Sequence, residues 1–301
     1  MISLTYSKEL CTVSGPHLAI VGCGDIGTRV GLKLHAQGWS ISALRRTVTA
    51  LPPAFQGYAV DYTDPNALAS LAYLCPDYLL FTPLPQGRDT LGYERGFRDP
   101  LAVLGTIGWL QSNVGAVMVS STRVFAERDG GWVTETSPLT TDDAAAVAIQ
   151  EGEDIVLSAP CTSTVLRASG LYGELPGMLV ERVRRGAFSP DPDRISNRIH
   201  RDDLASIAAT VLLNMAAGVA SPPIMIASDD APSPIGEVES WLAETMGLGG
   251  AAVPIKNPGP PSPAPGAAQR GNRRCDNRLL HEQGFRLQYP SYKDGYQGML
   301  G

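Results

Sequence analysis

Apolar runs alternate with amphipathic segments through the first two-thirds of the chain. The apolar runs are short enough for buried strands, and they cover residues 18–21, 39–44, 57–61, 78–82, 115–121 and 163–167. Segments with helical spacing lie between them, around residues 30–34 and over 64–74, 93–110 and 142–157. Strands that alternate with helices in this way predict an α/β protein with a doubly wound parallel sheet.

Three glycines follow the first predicted strand at the spacing G-x-G-x-x-G, namely Gly22, Gly24 and Gly27. In a dinucleotide-binding unit they allow a tight turn, a close approach of the backbone to a pyrophosphate, and packing of the helix on the strand. The start of the next helix offers N–H groups and a positive dipole end to that anion. Because strand, glycines, helix and second strand occur in this order, this loop, with Asp25 and Ile26, is predicted to bind a dinucleotide.

The end of the second predicted strand indicates which dinucleotide is preferred. Sites for NAD usually carry Asp or Glu there, which holds the ribose 2′-hydroxyl. This chain instead has Arg45 and Arg46, with no acidic residue nearby. Two guanidinium groups can pair with a 2′-phosphate, so the prediction is NADP(H). The alternative is that both arginines are simply solvated on a loop.

The pattern changes after Gly170, where short segments rich in Gly, Pro and Asp indicate a smaller substrate-binding lobe. We predict an N-terminal extension at 1–15, the dinucleotide-binding domain at 16–170 and the lobe over most of 171–301. Residues 199–228, with a helix and a strand, are expected to return to the first core. Residues 249–266 are too rich in Pro and Gly for a regular element and form either a linker or a lid.

Composition narrows the function classes. The 301-residue chain has a net charge of −6, which argues against a nucleic-acid-binding surface. Its five cysteines lack the pair spacing of a metal site or a disulfide framework, so no metal is expected. No signal peptide stands out, and no apolar run approaches the ~18–20 residues that span a bilayer. We expect a cytoplasmic protein that binds neither nucleic acid nor membrane.

Six segments carry a family resemblance through their order and spacing. They are GCGDIG (22–27), VDYTDP (60–65), VSSTRVFAE (119–127), ETSP (135–138), VLRASGLYG (165–173) and RIHRDDLA (198–205). Together they resemble the extended or atypical short-chain dehydrogenase/reductase (SDR) superfamily, in its NAD(P)-dependent epimerase/dehydratase-like branch. The resemblance implies a Rossmann-type sheet with a smaller C-terminal substrate-binding lobe. Homodimers are common in this family, and the sequence does not test that state.

The resemblance also implies roles for individual residues. Asp61 and Tyr62 would contact the adenine, and Ser121 would be the catalytic Ser/Thr that donates a hydrogen bond to substrate. The other residues implied on the cofactor side are Thr82, Pro83, Ser120, Gly170 and Leu171. Those expected to contact substrate are Arg123, Phe125 and Arg167.

The chain departs from the family at the proton relay. Active members use Tyr-x-x-x-Lys on the helix after the fifth strand, where the lysine lowers the pKa of the tyrosine. Here Ala145 and Ile149 occupy those two positions, and no lysine lies between Lys33 and Lys256. The only Tyr-x-x-x-Lys in the chain begins at Tyr289, in the tail. The standard relay is therefore absent.

Without the relay, the favoured substrate needs little help with protonation. A cyclic imine, such as a thiazoline on a siderophore or natural-product assembly line, is protonated near neutral pH. The sequence therefore predicts an NADPH-dependent reductase of a small reactive C=N or C=O compound, free or tethered to a carrier protein. Thr122, Tyr172 and His200 are the candidate proton donors.

Two alternatives to a reductase of this kind stay open. One is a non-catalytic NADP(H)-binding sensor or scaffold that kept the fold. The other is a nucleotide-sugar epimerase or reductase. The epimerase is disfavoured because it must oxidise a carbinol, which requires the missing base.

Overall fold

The structure is a computed structural model, and it describes residues 15–174, 177–248 and 271–300. The predicted linker or lid at 249–266 lies outside the described residues, as does all but the last residue of the predicted extension at 1–15. None of the described helices is long and apolar enough to cross a membrane.

Strands and helices alternate along the chain as the hydrophobic pattern predicts. The strands are β1 (His17–Val21), β2 (Ser40–Arg45), β3 (Gln56–Ala59), β4 (Tyr78–Phe81), β5 (Gly115–Ser121), β6 (Trp132–Val133), β7 (Thr162–Ala168), β8 (Gly170–Tyr172), β9 (Ile195–Ser196), β10 (Arg198–His200), β11 (Ile224–Ala227), β12 (Ser233–Pro234) and β13 (Arg274–Cys275). The α-helices are α1 (Asp25–His35), α2 (Pro65–Ala69), α3 (Thr90–Tyr93), α4 (Asp99–Thr106), α5 (Ala144–Ser158), α6 (Met178–Arg184), α7 (Arg201–Ala216), α8 (Ile235–Thr245), α9 (Arg278–Glu282) and α10 (Tyr292–Leu300).

The chain divides into two compact units. Of the described residues, the first unit contains those up to Ser120, together with Ala144–Leu166 and Ala205–Ile224. The second contains Ser121–Asp143, Arg167–Leu204 and the residues from Met225 onward. The predicted domain boundaries put 121–143 in the first domain, whereas here this segment clusters with the second unit.

A parallel sheet forms the centre of the Rossmann-type fold. Within the described residues it has seven strands in the order β3-β2-β1-β4-β5-β7-β11, which confirms the predicted fold class. Val21 at the end of β1 lies opposite Leu44 of β2 and Phe81 of β4. The strand order reverses beside β1, and ligands of such sheets bind at the carboxyl ends of the strands at that point.

Helix α1 packs closely on β1 because it carries glycine at two contact positions. A Cβ atom on Gly27 would lie 2.8 Å from Cγ2 of Ile20, and one on Gly31 would lie 2.5 Å from the Phe55 ring. Residues 18–21 of β1 are fully buried, as expected for a strand covered on both faces.

Two predicted helices differ from the expectation in detail. The helix predicted over 64–74 is α-helical only over Pro65–Ala69, and the Asp64 carboxylate caps it by accepting from the N–H groups of Asn66 and Ala67. It ends after a 3₁₀ turn at Cys75, whose φ is +41°. The helix predicted over 93–110 starts earlier, at Thr90, and continues through the π-helical stretch 94–98 into α4.

The second unit contains short strand pairs that the hydrophobic pattern did not predict. Strand β8 pairs with β10, β9 with β12 and β6 with β13. They have only two or three residues each, too few for a period to be read. Its core is a cluster of buried side chains on β8, α6, α8 and α10, formed by Tyr172, Val180, Val183, Val238, Leu242, Ala243, Tyr292 and Tyr296.

Candidate cofactor and catalytic sites

The glycine-rich loop after β1 has the tight turn that its spacing predicts. Gly22 has a φ of +79°, and a Cβ atom there would lie 2.7 Å from the carbonyl oxygen of Thr82. The amides of Gly22 and Cys23 both donate to the carbonyl of Leu44, at 3.1 and 2.9 Å. Only glycine fits a position with both this conformation and this contact.

Gly24 leaves open space at the start of α1. A Cβ atom on Gly24 would approach no heavy atom of the described residues closer than 3.8 Å, so neighbouring groups do not explain the glycine here. As the residue before the helix it has no side chain to cap the first amides, and its carbonyl accepts from Thr28. Asp25 forms an ion pair with Arg29 at 3.0 Å, and Ile26 is buried. This open helix start fits the pyrophosphate of a dinucleotide.

The ends of β3 and β4 meet the glycine-rich loop. The Thr82 hydroxyl donates to the carbonyl of Gly22 at 2.7 Å, and Pro83 is buried after it. A Cβ atom on Gly22 would lie 3.3 Å from the ring of Tyr62, and the Tyr62 hydroxyl bonds both N–H and C=O of Leu84. Three segments that the family resemblance implied for the cofactor therefore converge within the first unit.

Asp61 is held in place beside Tyr62. One oxygen of its carboxylate accepts from the amide and the hydroxyl of Thr63, at 3.0 and 2.7 Å. The second oxygen is not engaged by these two bonds, so the residue can still accept from a ligand amino group.

The two predicted phosphate-binding arginines lie at the end of β2. Arg45 is the last residue of the strand and Arg46 is exposed after it. Burial raises the pKa of the Cys23 thiol, and the charge of Arg45 partly offsets this rise. Burial likewise raises the pKa of the Tyr62 hydroxyl, with Arg46 among the groups that oppose it. Both guanidinium groups therefore act on residues of the candidate cofactor site.

The positions of the missing relay are apolar and buried. Ala145 and Ile149 on α5 are 6% and 1% exposed. On the same helix, the carboxylate of Glu153 is buried and accepts from the Ser120 hydroxyl at 2.5 Å. Ser120, which the resemblance implied for the cofactor, thus uses its hydroxyl to stabilise a buried carboxylate.

Ser121 closes β5 and starts a 3₁₀ turn over residues 122–124. Its Oγ accepts from the amide of Arg123 at 3.2 Å, and this bond leaves the hydroxyl hydrogen to donate elsewhere. The carbonyl of Thr122 accepts from the guanidinium of Arg273. Arg123 itself forms a two-fold ion pair with Asp143, at 2.8 and 3.0 Å. The Thr122 hydroxyl is hydrogen-bonded to the Cys275 thiol. Ser121 is therefore the side chain of this turn best placed to donate to substrate.

Phe125 and Arg167 pack together inside the second unit. Phe125 is fully buried, and the Arg167 guanidinium lies 5.1 Å from the centre of its ring. Arg167 is 3% exposed and donates to the carbonyl of Glu135 at 3.1 Å. Both were expected to contact substrate, and their burial instead favours a packing role.

Tyr172 and His200 form an enclosed aromatic cluster with Tyr289. Tyr172 is 6% exposed, and its hydroxyl donates to the carbonyl of Ser291 at 3.1 Å. The His200 ring is 4% exposed, with its centre 3.8 Å from that of Tyr289 and its edge packed against Gly173. Burial raises the pKa of the Tyr172 hydroxyl far above its ordinary value. This environment argues against Tyr172 as a proton donor, because its hydroxyl is committed to a backbone carbonyl. Gly170 and Leu171 precede it on β8 and are exposed.

Replacing Tyr172 with phenylalanine tests this assignment. We expect Tyr172→Phe to lower the free energy of unfolding by about 1 kcal/mol, because one neutral hydrogen bond is lost. We expect turnover to change less than about twofold. Urea denaturation and steady-state kinetics check both values. A hundredfold loss of turnover with normal stability would instead make Tyr172 catalytic.

Sequence reasoning missed two contacts that the structure brings together. The sequence pattern assigned no role to Glu153, because Gln150, Glu151 and Asp154 lie beside it and nothing local marks it as the buried acid. Tyr289 begins a Tyr-x-x-x-Lys match in the tail, outside the helix that carries the relay in the family, so the sequence predicted no role for it. Its ring contact with His200 joins residues distant in the chain, and no local pattern could have indicated it.

Comparisons with known proteins agree with this fold. No protein-family model matches the chain. The curated protein YeeZ of Escherichia coli K12 is 28% identical over 209 residues, which cover 67% of this chain and 74% of YeeZ. Its name states no activity.

Two solved structures show what kind of fold this is. A protein from Methylobacillus flagellatus, named as an NAD-dependent epimerase/dehydratase, is 28% identical with a TM-score of 0.73, over 96% of this chain and 98% of that one. The UDP-glucose 4-epimerase of Thermus thermophilus, solved with NAD, is 18% identical with a TM-score of 0.70, over 95% and 97%. At the level of the fold, these likenesses confirm the family resemblance.

Proposed function

We propose that this chain, which has the fold of the extended short-chain dehydrogenase/reductase superfamily, is an NADP(H)-dependent reductase that acts on a small, reactive C=N substrate. Three features of the chain together support the proposal. The glycine-rich loop has the conformation of a dinucleotide site, and two arginines stand where NAD sites usually carry an acid. The residues of the usual proton relay are absent from the helix that should hold them.

The first unit supplies the groups that would hold the cofactor. The open start of α1 at Gly24 would receive the pyrophosphate, and Asp61 with Tyr62 would flank the adenine. Arg45 and Arg46 would bind the 2′-phosphate, since planar guanidinium groups pair with phosphate through charge-assisted hydrogen bonds. When bound, the nicotinamide supplies the hydride.

The choice of a C=N substrate follows from the missing relay. Reduction of a ketone leaves an alkoxide, which needs a positioned acid, and general acid catalysis is worth roughly 10²–10⁴-fold. An imine nitrogen takes its proton from water near neutral pH, so a hydrogen bond from Ser121 is enough to orient it. Thiazolines and related cyclic imines, free or carried on a protein, are substrates of this class.

A binding and turnover experiment tests the proposal. The purified protein is titrated with NADPH and NADH, and bound NADPH is then followed at its nicotinamide absorbance with a panel of cyclic imines and matched ketones. We expect tighter binding of NADPH and oxidation of NADPH by imines only. Tight binding without turnover on any compound would favour the sensor or scaffold, which is supported by the apolar residues Ala145 and Ile149 at the relay positions of α5. Failure to bind either dinucleotide would overturn both.

Ser121 has a specific expected effect within this proposal. We expect Ser121→Ala to reduce turnover by roughly 10–100-fold, because one hydrogen bond to the reacting substrate is worth about 1–3 kcal/mol. The affinity for NADPH should not change. Ser70→Ala is the matched control, because it removes an exposed serine hydroxyl at the end of α2, outside the candidate site. Unchanged turnover of the Ser121 variant would remove this residue from the reaction.

A further inference from the structure

A cavity of about 540 Å³ lies entirely within the second unit, among residues for which no role has been assigned above. It is lined by Trp132, Asp229, Asp230, Pro232, Cys275, Asp276, Asn277, Arg278 and His281. Its volume falls in the range of about 300–1,000 Å³ that is typical of small-molecule sites. The space suits an organic molecule better than a single ion.

Trp132 gives this cavity an aromatic wall. Its side chain is 62% exposed, which is unusual for a large aromatic residue, and β6 pairs with β13 so that Trp132 lies opposite Arg274. The other tryptophans of the described chain, at positions 39, 109 and 241, are buried or half-buried. An exposed indole beside a cavity offers an apolar face against which the hydrocarbon part of a ligand can pack.

Asp229 is the feature that points to a ligand. The residue is only 1% exposed, and its Oδ2 has no hydrogen-bond partner in the part of the chain that the structure describes. Its Oδ1 accepts from the amide of Ala231 at 3.2 Å. A buried carboxylate oxygen without a partner is costly, so a donor that enters the cavity would be bound favourably.

The other charged groups of the cavity are already paired. Arg278 forms an ion pair with Asp276 at 3.0 Å, and His281 contacts Asp230 at 2.7 Å. Burial raises the pKa of the Cys275 thiol to about 12, so this residue is neutral. The charge of the buried Arg198 also acts on the Asp229 carboxylate. Three carboxylates against Arg278 and Arg198 still leave an excess of negative charge, which favours a cationic ligand over an anionic one.

A metal ion is not the cation that fits. Within the described residues, no group of three or more His, Cys, Asp or Glu side chains has an arrangement that could hold one. The carboxylates of Asp229, Asp230 and Asp276 instead line a cavity that also contains the Trp132 indole.

We propose that this cavity binds a small organic cation, with an ammonium group on the Asp229 carboxylate and its hydrocarbon part against Trp132. The site does not rest on the proposed reductase function, because none of its lining residues takes part in that function. Its binding can be measured without any dinucleotide.

Calorimetric titration of the full-length protein with defined probes tests this site. The cationic probes are phenethylammonium, benzyltrimethylammonium and agmatine, and the isosteres of the first are 2-phenylethanol (neutral) and 3-phenylpropanoate (anionic). Burial raises the pKa of the Asp229 carboxyl to about 7. The Ala231 amide and the Arg198 charge lower this pKa, and the charges of Asp230 and Asp203 raise it further. The titrations are therefore run at about pH 8, where the carboxylate form is present.

We expect at least one cation to bind at millimolar or lower concentration, and both isosteres to bind at least about tenfold more weakly. Asp229→Asn should lower the affinity for the cation by at least about tenfold, because the amide can no longer form a charge-assisted hydrogen bond with the ammonium group. Trp132→Ala should weaken binding about three- to tenfold, because the hydrocarbon part of the probe loses its contact with the indole, and Trp132→Phe should weaken it less. Glu244→Gln removes an exposed carboxylate of the same unit and is the matched control, with no expected change.

Three results would overturn the site: no binding of any cation, equal affinity for phenethylammonium and its isosteres, or binding that neither the Asp229 nor the Trp132 variant weakens. Should Asp229→Asn fail to fold, Trp132→Ala decides the question, because its exposed side chain can be removed without opening the core.

Discussion

NADPH is expected to bind at least about a hundredfold more weakly when Arg45 and Arg46 are both replaced by alanine. Each charge-assisted hydrogen bond to the 2′-phosphate is worth about 1.5–3 kcal/mol, and the double variant removes both partners. NADH lacks this phosphate, so its affinity should change by less than about threefold. Fluorescence titration of both dinucleotides with wild type and variant measures the two ratios.

Salt provides an independent check on the same interaction. Since Arg46 is exposed at the end of β2, raising the ionic strength should weaken NADPH binding more than NADH binding. The matched control is Arg29→Ala, which removes a cation from α1 that is paired with Asp25 rather than placed at the end of β2. If the double variant lost the same affinity for NADPH and for NADH, recognition of the 2′-phosphate would be contradicted, and the site would be assigned to NAD.

Gly22→Ala has the second large expected effect. The substitution places a methyl group 2.7 Å from the Thr82 carbonyl at a φ of +79°, so the loop between β1 and α1 must move. We expect a loss of about 2–4 kcal/mol in the free energy of unfolding, combining the strain of positive φ with the clash. Dinucleotide affinity should fall at least about a hundredfold, because the loop can no longer keep its shape.

Gly38→Ala is the matched control for this substitution. Gly38 also has a positive φ, +85°, but a Cβ atom there meets no heavy atom of the described residues within 4 Å. We expect Gly38→Ala to lower the free energy of unfolding by only about 1 kcal/mol, because the backbone conformation alone is unfavourable for alanine. Dinucleotide binding should be preserved. Urea denaturation and dinucleotide titration of both variants separate the two effects. If both alanine variants lost the same stability and bound dinucleotide equally well, the predicted clash of the new methyl group with the Thr82 carbonyl would be wrong.

The family resemblance and the fold agree because both depend on local patterns. The run 18–21 is apolar on both faces of the strand and is buried on both faces in the sheet. Gly22 and Gly27 each appear where the turn and the helix packing require them. Such features act over a few residues, so spacing alone predicts them.

Whether a side chain can donate a proton depends on contacts with residues that are distant along the chain. Tyr172 and His200 belong to motifs of the family, yet both are enclosed by residues of the tail, Tyr296 and Tyr289 respectively. More than eighty residues separate each pair along the chain. Burial and hydrogen-bond commitment decide whether a hydroxyl or an imidazole can exchange a proton, and neither property is local.

Residue identity and short spacing were enough to predict the alternating strands and helices of the parallel sheet, the turn of the glycine-rich loop and the two arginines at the end of β2. These features follow from backbone conformation, burial of apolar runs and charge. The folded arrangement was needed to find that Phe125 and Arg167 pack together, that the Ser120 hydroxyl donates to Glu153, and that Asp229 and Trp132 line one cavity. Each of these depends on which distant segments exclude water from a polar group, and that exclusion exists only once the chain has folded.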